Sequence, residues 1–178
     1  MGELNKELFN EALPVGFAFG LSGIGWGIEY LKQNGFTDDD SLEICKEIDK
    51  KIMEKDPRRI TNYSLELGLE GILHYVIAHI KGVMAHHSKM PFDEIYLHDL
   101  YKAVSTIPQN AVLSENFKTL SSNYMSFYKN RKKILNYNMN LSFIIKGSVL
   151  EIDKINYAPF GLKNGLAGFL LNKIITTK

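Results

Sequence analysis

Apolar residues recur along most of the chain at intervals of three and four, the period of an amphipathic helix. Leu21, Ile24, Ile28 and Leu31 form one such stripe, and Asn34-Gly35 supplies a fitting helix stop. Leu69, Ile72, Leu73, Val76, Ile77 and Ile80 form a broader one. Leu113, Phe117, Leu120, Tyr124, Phe127 and Tyr128 make a third, and Leu166, Phe169, Leu170 and Ile174 a fourth. More polar helices are predicted between them. One carries Ile44, Cys45, Ile48 and Ile52 on a single face, between the cap-rich run Thr37 to Ser41 and the break at Pro57. Another carries Leu97, Leu100, Tyr101 and Val104 and ends before Pro108. From Asn138 to Lys146 the pattern suits a short helix and a strand equally.

The more apolar segments share an opening. Gly-Leu-x-Gly followed by an apolar residue stands at Gly20, Gly68 and Gly165, with separations of 48 and 97 residues. The second separation is about twice the first, so a degenerate copy is expected near Asn116, inside the third stripe. A glycine inside a helix costs about 1 kcal/mol relative to alanine, so several in one helix need a reason. Gly20, Gly23 and Gly27 fall on one face, where a neighbouring backbone can approach closely. The expected architecture is all-α: a partial α/α toroid of helical hairpins with a repeat of about 48 residues, glycine-opened inner helices and amphipathic outer ones. It forms a single domain over residues 1–178, about three and a half hairpins long. The other arrangement compatible with the pattern is an irregular α bundle with its glycines in loops.

Composition narrows the function. The 178 residues are 45% hydrophobic and 23% charged, which is ordinary for a globular domain. Lys plus Arg number 21 against 20 Asp plus Glu, so no broad positive field exists to gather nucleic acid. The basic run from Lys129 to Lys133 reads as a solvated helix end. No apolar stretch approaches the roughly 18 residues of a membrane span, and the first residues resemble neither a secretory signal nor a myristoylation site. Cys45 is the only cysteine. An intrachain disulfide is thereby excluded, a cytoplasmic location fits, and no zinc site with two cysteines can be built from this chain alone.

The candidate chemistry lies on the second apolar segment. Glu66, Glu70 and His74 are spaced by four and four, a stripe roughly 100° from the Leu69/Leu73 side and expected to face a toroid centre. Such a stripe could do acid–base work or hold a hard cation, but it suits a hydrogen-bonded polar seam around a buried histidine better. Trp26 stands six residues after Gly20, as His74 does after Gly68. With Glu29 and Tyr30 it is a candidate peptide contact, unless it is core. His79 falls off the stripe, His86-His87 suit a helix C-terminus, and His98 is expected at the surface.

Gly20 to Leu31 (Gly-Leu-Ser-Gly-Ile-Gly-Trp-Gly-Ile-Glu-Tyr-Leu) and Gly161 to Leu171 (Gly-Leu-Lys-Asn-Gly-Leu-Ala-Gly-Phe-Leu-Leu) resemble the repeats of lanthionine synthetase C-like proteins. The resemblance implies an α/α toroid of about seven hairpins. It also implies thioether formation in ribosomal peptides by a cysteine thiol activated on zinc, the metal held by a Cys, Cys, His set. The Trp-Cys-x-Gly and Cys-His-Gly motifs that carry that set are absent here, and Cys45 matches neither. No cofactor is therefore expected, and the expected role is a non-catalytic peptide-binding or accessory module. Its partners would be a peptide or protein, with self-association or a second chain completing the ring, because half a toroid exposes apolar edges. The alternatives are a carbohydrate-active enzyme of another α/α toroid class using Glu66 and Glu70, and a purely structural subunit of a larger ring. Two carboxylates one turn apart on one helix do not flank a glycosidic bond across a cleft, which weighs against the enzyme.

Overall fold

The computed structural model describes residues 13–131 and 137–138; the third glycine copy at Gly165 and the segment from 139 to 146 lie outside the described residues. Six helices occur among the described residues, with no strand. These are α1 (Leu21–Gln33), α2 (Ser41–Ile44), α3 (Lys46–Met53), α4 (Leu69–Met84), α5 (Glu94–Ser105) and α6 (Glu115–Lys129), with a 3₁₀ turn at Pro57–Arg59. The described part is all-α, and no helix in it is long and apolar enough to cross a membrane.

Capping explains the starts of the polar helices. Asp40, Asp93 and Ser114 accept hydrogen bonds from Leu42, Tyr96 and Phe117 N–H groups, opening α2, α5 and α6. The helix predicted around Ile44 to Ile52 is interrupted at Cys45, giving the short α2 and then α3. The stop predicted at Asn34-Gly35 is present: Asn34 caps α1, and Gly35 takes a φ of 71°, where glycine is favoured.

α1 and α4 start differently, with no side-chain cap. Each follows a loop whose carbonyl accepts from the first helical N–H: Leu21 N–H donates to Pro14 O and Leu69 N–H to Asn62 O, both at 2.9 Å. The N-cap glycines share an extended backbone, φ −147° at Gly20 and −116° at Gly68, which any residue can adopt. What excludes a side chain is space. A Cβ on Gly20 would collide with Pro14 O, and one on Gly68 with Asn62 O.

α4 lies in the middle of the described helices. It packs along α1, against α6 and against α2, and nearly all of its residues are buried, polar ones included. α3 covers α1, while α5 packs on α6 and on the 3₁₀ turn. Leu69, Leu73, Val76, Ile77 and Ile80 have no exposed surface, each contributing about 1.5–3 kcal/mol of hydrophobic stabilisation. The α1–α4 seam is tight because side chains of each helix lie over glycines of the other. A Cβ on Gly25 would enter the Tyr75 ring, and one on Gly82 would strike the Glu29 carboxylate.

Gly68→Ala is expected to lower the free energy of unfolding by about 1–3 kcal/mol, the range for forcing a group into filled space. Urea denaturation checks it; a change under about 0.5 kcal/mol, the scale of a neutral surface substitution, would mean that the turn before α4 can open freely.

Candidate functional site

Two polar clusters are buried where α1 meets α4, and they have different chemistry. The first joins three segments of the chain through His79 on α4. Its Nδ1 lies 2.6 Å from Glu29 Oε1 on α1, and its Nε2 lies 3.0 Å from Asp49 Oδ2 on α3. His79 and Glu29 have no exposed side-chain surface and Asp49 almost none. Tyr75, one turn before His79, donates its hydroxyl to Asp49 Oδ1 at 2.5 Å and stacks on the imidazole. Gln33 donates to Glu29 Oε2 at 2.8 Å and to the Ala78 carbonyl at 2.9 Å.

Burial alone would lower the pKa of His79, but the hydrogen bonds and negative charges of Asp49 and Glu29 outweigh it and raise the value to about 9. At neutral pH the ring is therefore an imidazolium, and both N–H groups donate. Burial raises the Asp49 pKa, opposed by the hydrogen bond and charge of His79. Cys45 lies wholly buried in the same neighbourhood. Desolvation, then the charges of Asp49 and Glu29, push its thiol far up, so it is neither a thiolate nor a reactive nucleophile.

The second cluster contains His74 and Trp26, which the sequence pattern places at matching positions. The structure brings them together through Tyr137. Trp26 Nε1–H donates to Tyr137 Oη at 2.7 Å, and Tyr137 Oη lies 2.7 Å from His74 Nδ1. Lys81 Nζ donates to the Tyr137 backbone carbonyl at 2.7 Å. Phe17 packs against both Trp26 and His74, and Tyr30 stacks on the indole. Burial lowers the His74 pKa to about 4, so this histidine is neutral.

The other candidates are placed as follows. Glu66 is not on the helix with Glu70 and His74, a correction to the predicted register. It lies in the turn before Gly68, where its carbonyl oxygen accepts from Phe17 and Ala18 N–H. The helix begins at Leu69, whose N–H donates to the Asn62 carbonyl instead of to a carbonyl one helical turn back. Glu70, in the first turn of α4, accepts from the Ser114 hydroxyl at 2.7 Å; burial, and then repulsion from Glu66, raise its pKa. Trp26 and Glu29 present no surface to solvent, and Tyr30 presents part of its ring. His98, exposed on α5, meets the Tyr128 hydroxyl, and His87 lies 3.2 Å from Asp40. Asp49, Tyr75 and Tyr137 are the residues sequence reasoning missed. Asp49 left one signal: it falls on the otherwise apolar stripe of Cys45, Ile48 and Ile52, where a carboxylate must find a buried partner.

Zinc, implied by the resemblance, does not fit these residues. Among the described residues no three His, Cys, Asp or Glu side chains converge as metal ligands. Both nitrogens of His79 face carboxylate oxygens, and the Cys45 thiol holds its proton. Comparison with protein-family models, curated proteins and solved structures finds no match for the chain.

His79 carries a pH prediction. Its folded pKa of about 9 exceeds the free value of 6.5, so its stabilisation is complete below pH 6.5 and is lost as pH rises through about 9. Asp49, also raised, acts in the same sense. Urea unfolding across pH 6.5 to 9 is expected to show stability falling by about 3 kcal/mol. His79→Gln is expected to be less stable at neutral pH by about 3–5 kcal/mol and to lose this slope. An unchanged slope in the variant would show that another group titrates.

Proposed function

We propose that the chain is a partial α/α toroid of lanthionine synthetase C type, with a repeat of about 48 residues, and that it holds a peptide without cyclising it. The observation that carries this reading is the pairing of α1 with α4. Both helices open on Gly-Leu-x-Gly, both are preceded by the same carbonyl-to-helix turn at matching positions 48 residues apart, and they lie side by side. Neighbouring inner helices of a toroid have this relation, with α6 following as the next and α3 and α5 as outer helices.

A binding role is supported by what is exposed. Phe19, Leu67 and Val112 are 41%, 59% and 98% exposed, and each stands just before the start of α1, α4 or α6. Apolar side chains presented at successive helix starts suit an extended peptide laid across the helix ends. The absence of cyclisation is supported by the chemistry inside. Thioether formation needs a thiolate stabilised by a metal; the buried Cys45 thiol holds its proton, and both nitrogens of His79 face carboxylates. Completion of the ring by a second copy or another chain belongs to the same proposal.

Fluorescence anisotropy of a labelled linear peptide rich in Ser, Thr and Cys is expected to saturate at micromolar protein. A dehydrated peptide incubated with the protein is expected to keep its thiols, counted by alkylation and mass spectrometry. Absence of binding up to about 1 mM, or loss of alkylatable thiols, would overturn the proposal.

A further inference from the structure

We propose that Trp26, His74 and Lys81 form a receptor for a tyrosyl residue of a peptide, and that Tyr137 fills this receptor from within the chain. The contacts read as recognition of one complete residue. The phenol oxygen is held by an indole N–H on α1 and an imidazole nitrogen on α4, each at 2.7 Å. The same residue's backbone carbonyl is held by Lys81, two turns further along α4, also at 2.7 Å. The ring is 6% exposed and lies against His74 at 5.7 Å between centroids. Phenylalanine would satisfy the shape and leave both phenol partners bare.

Proton positions sharpen the specificity. An indole N–H can only donate, so Tyr137 Oη accepts from Trp26. Among the described residues, the acceptor within reach of the phenol proton is Nδ1 of the neutral His74. The imidazole proton then sits on Nε2, and that atom is buried with no hydrogen-bond partner among the described residues. A buried donor without an acceptor is costly and uncommon. Tyr137 thus satisfies the phenol-binding half of the site and leaves one donor unused. A peptide bringing a tyrosine together with a further carbonyl oxygen would use Nε2–H as well, and so has a means to displace the internal residue. The receptor also lies beneath Phe17, in the turn that presents Phe19, where the peptide is placed by the preceding proposal. The identification of the ligand as a peptide rests on that reading; the geometry of the receptor does not.

Trp26 is the only tryptophan, so its emission, excited at about 295 nm where tyrosine barely absorbs, reports on the site directly. In the full chain carrying Tyr137→Ala, N-acetyl-tyrosinamide is expected to bind and shift the Trp26 emission. N-acetyl-phenylalaninamide should bind at least about ten-fold more weakly, since it leaves the phenol partners unpaired. The unaltered chain should bind the tyrosine amide at least about ten-fold more weakly than the variant, because its site is filled. Equal binding by the two proteins, equal binding of the two amides, or no binding by a variant with unchanged circular dichroism would overturn the inference. Should Tyr137→Ala fail to fold, Tyr137→Phe keeps the ring and weakens the internal occupant. It is then expected to bind the tyrosine amide more tightly than the unaltered chain does, and binding no tighter overturns the inference. If the Ser-, Thr- and Cys-rich peptide binds while the tyrosine amide does not, the receptor is wrong and the peptide-binding reading stands.

Discussion

The imidazolium of His79, held between Glu29 and Asp49, is the constraint on which the packing of the described helices depends. It joins α4 to α1 through one nitrogen and to α3 through the other. Each of these groups would be expensive to bury alone, by several kcal/mol per ion. Together, with the Tyr75 hydroxyl and the Gln33 amide taking further carboxylate oxygens, they satisfy one another's hydrogen bonds. Their geometry leaves little freedom. A small rotation or slide of α4 against α1 would pull the imidazole from one carboxylate or the other. Leucines and isoleucines along the same seam supply most of the stabilisation, but they tolerate sliding far better than two hydrogen bonds at fixed distances do.

The glycines are the other half of the same device. Glu29 reaches His79 across Gly82, and Tyr75 reaches Asp49 across Gly25. A side chain at either glycine would occupy the volume through which the polar group passes. Glycine inside a helix weakens it by about 1 kcal/mol, and here that loss is offset because it permits a paired charge in place of an unpaired one. This explains why the glycine-rich helix α1 is stable although its sequence lacks an N-terminal side-chain cap.

How much of this was legible follows from which interactions are local. The stripes of α1, α4, α5 and α6 are local, so helix positions could be read from spacing, and Asn34-Gly35 marks the end of α1 as expected. The glycine opening marked the start of α4 at Gly68, but Glu66 was grouped with that helix although it precedes it, because Leu69 N–H turns to the Asn62 carbonyl, a contact invisible to periodicity. The candidate chemistry was read least well. Helical spacing grouped Glu70 with His74, and each found its partner elsewhere: Ser114 lies 44 residues from Glu70, and Tyr137 lies 63 from His74. The matching positions of Trp26 and His74 did locate a real meeting point, although the residue that joins them carried no signal in its neighbourhood. Asp49 alone could have been flagged, as a carboxylate on an apolar stripe.

The two histidines of α4 show why residue type and spacing do not fix chemistry. They are five residues apart on one helix and similarly buried, yet one is held charged and the other neutral. The difference lies in what the neighbouring elements bring. α1 and α3 each present a carboxylate to His79, whereas His74 receives a phenol and the aromatic faces of Phe17 and Tyr137. The charged histidine has both N–H groups satisfied and can do nothing further without breaking the fold. Among the described residues the neutral one keeps a donor in hand, and its partner Tyr137 belongs to a different part of the chain from the helices that frame it. Burial alone therefore does not set the state of a histidine: the carboxylates of two neighbouring helices pair both nitrogens of His79, while among the described residues Nε2 of His74 has no partner.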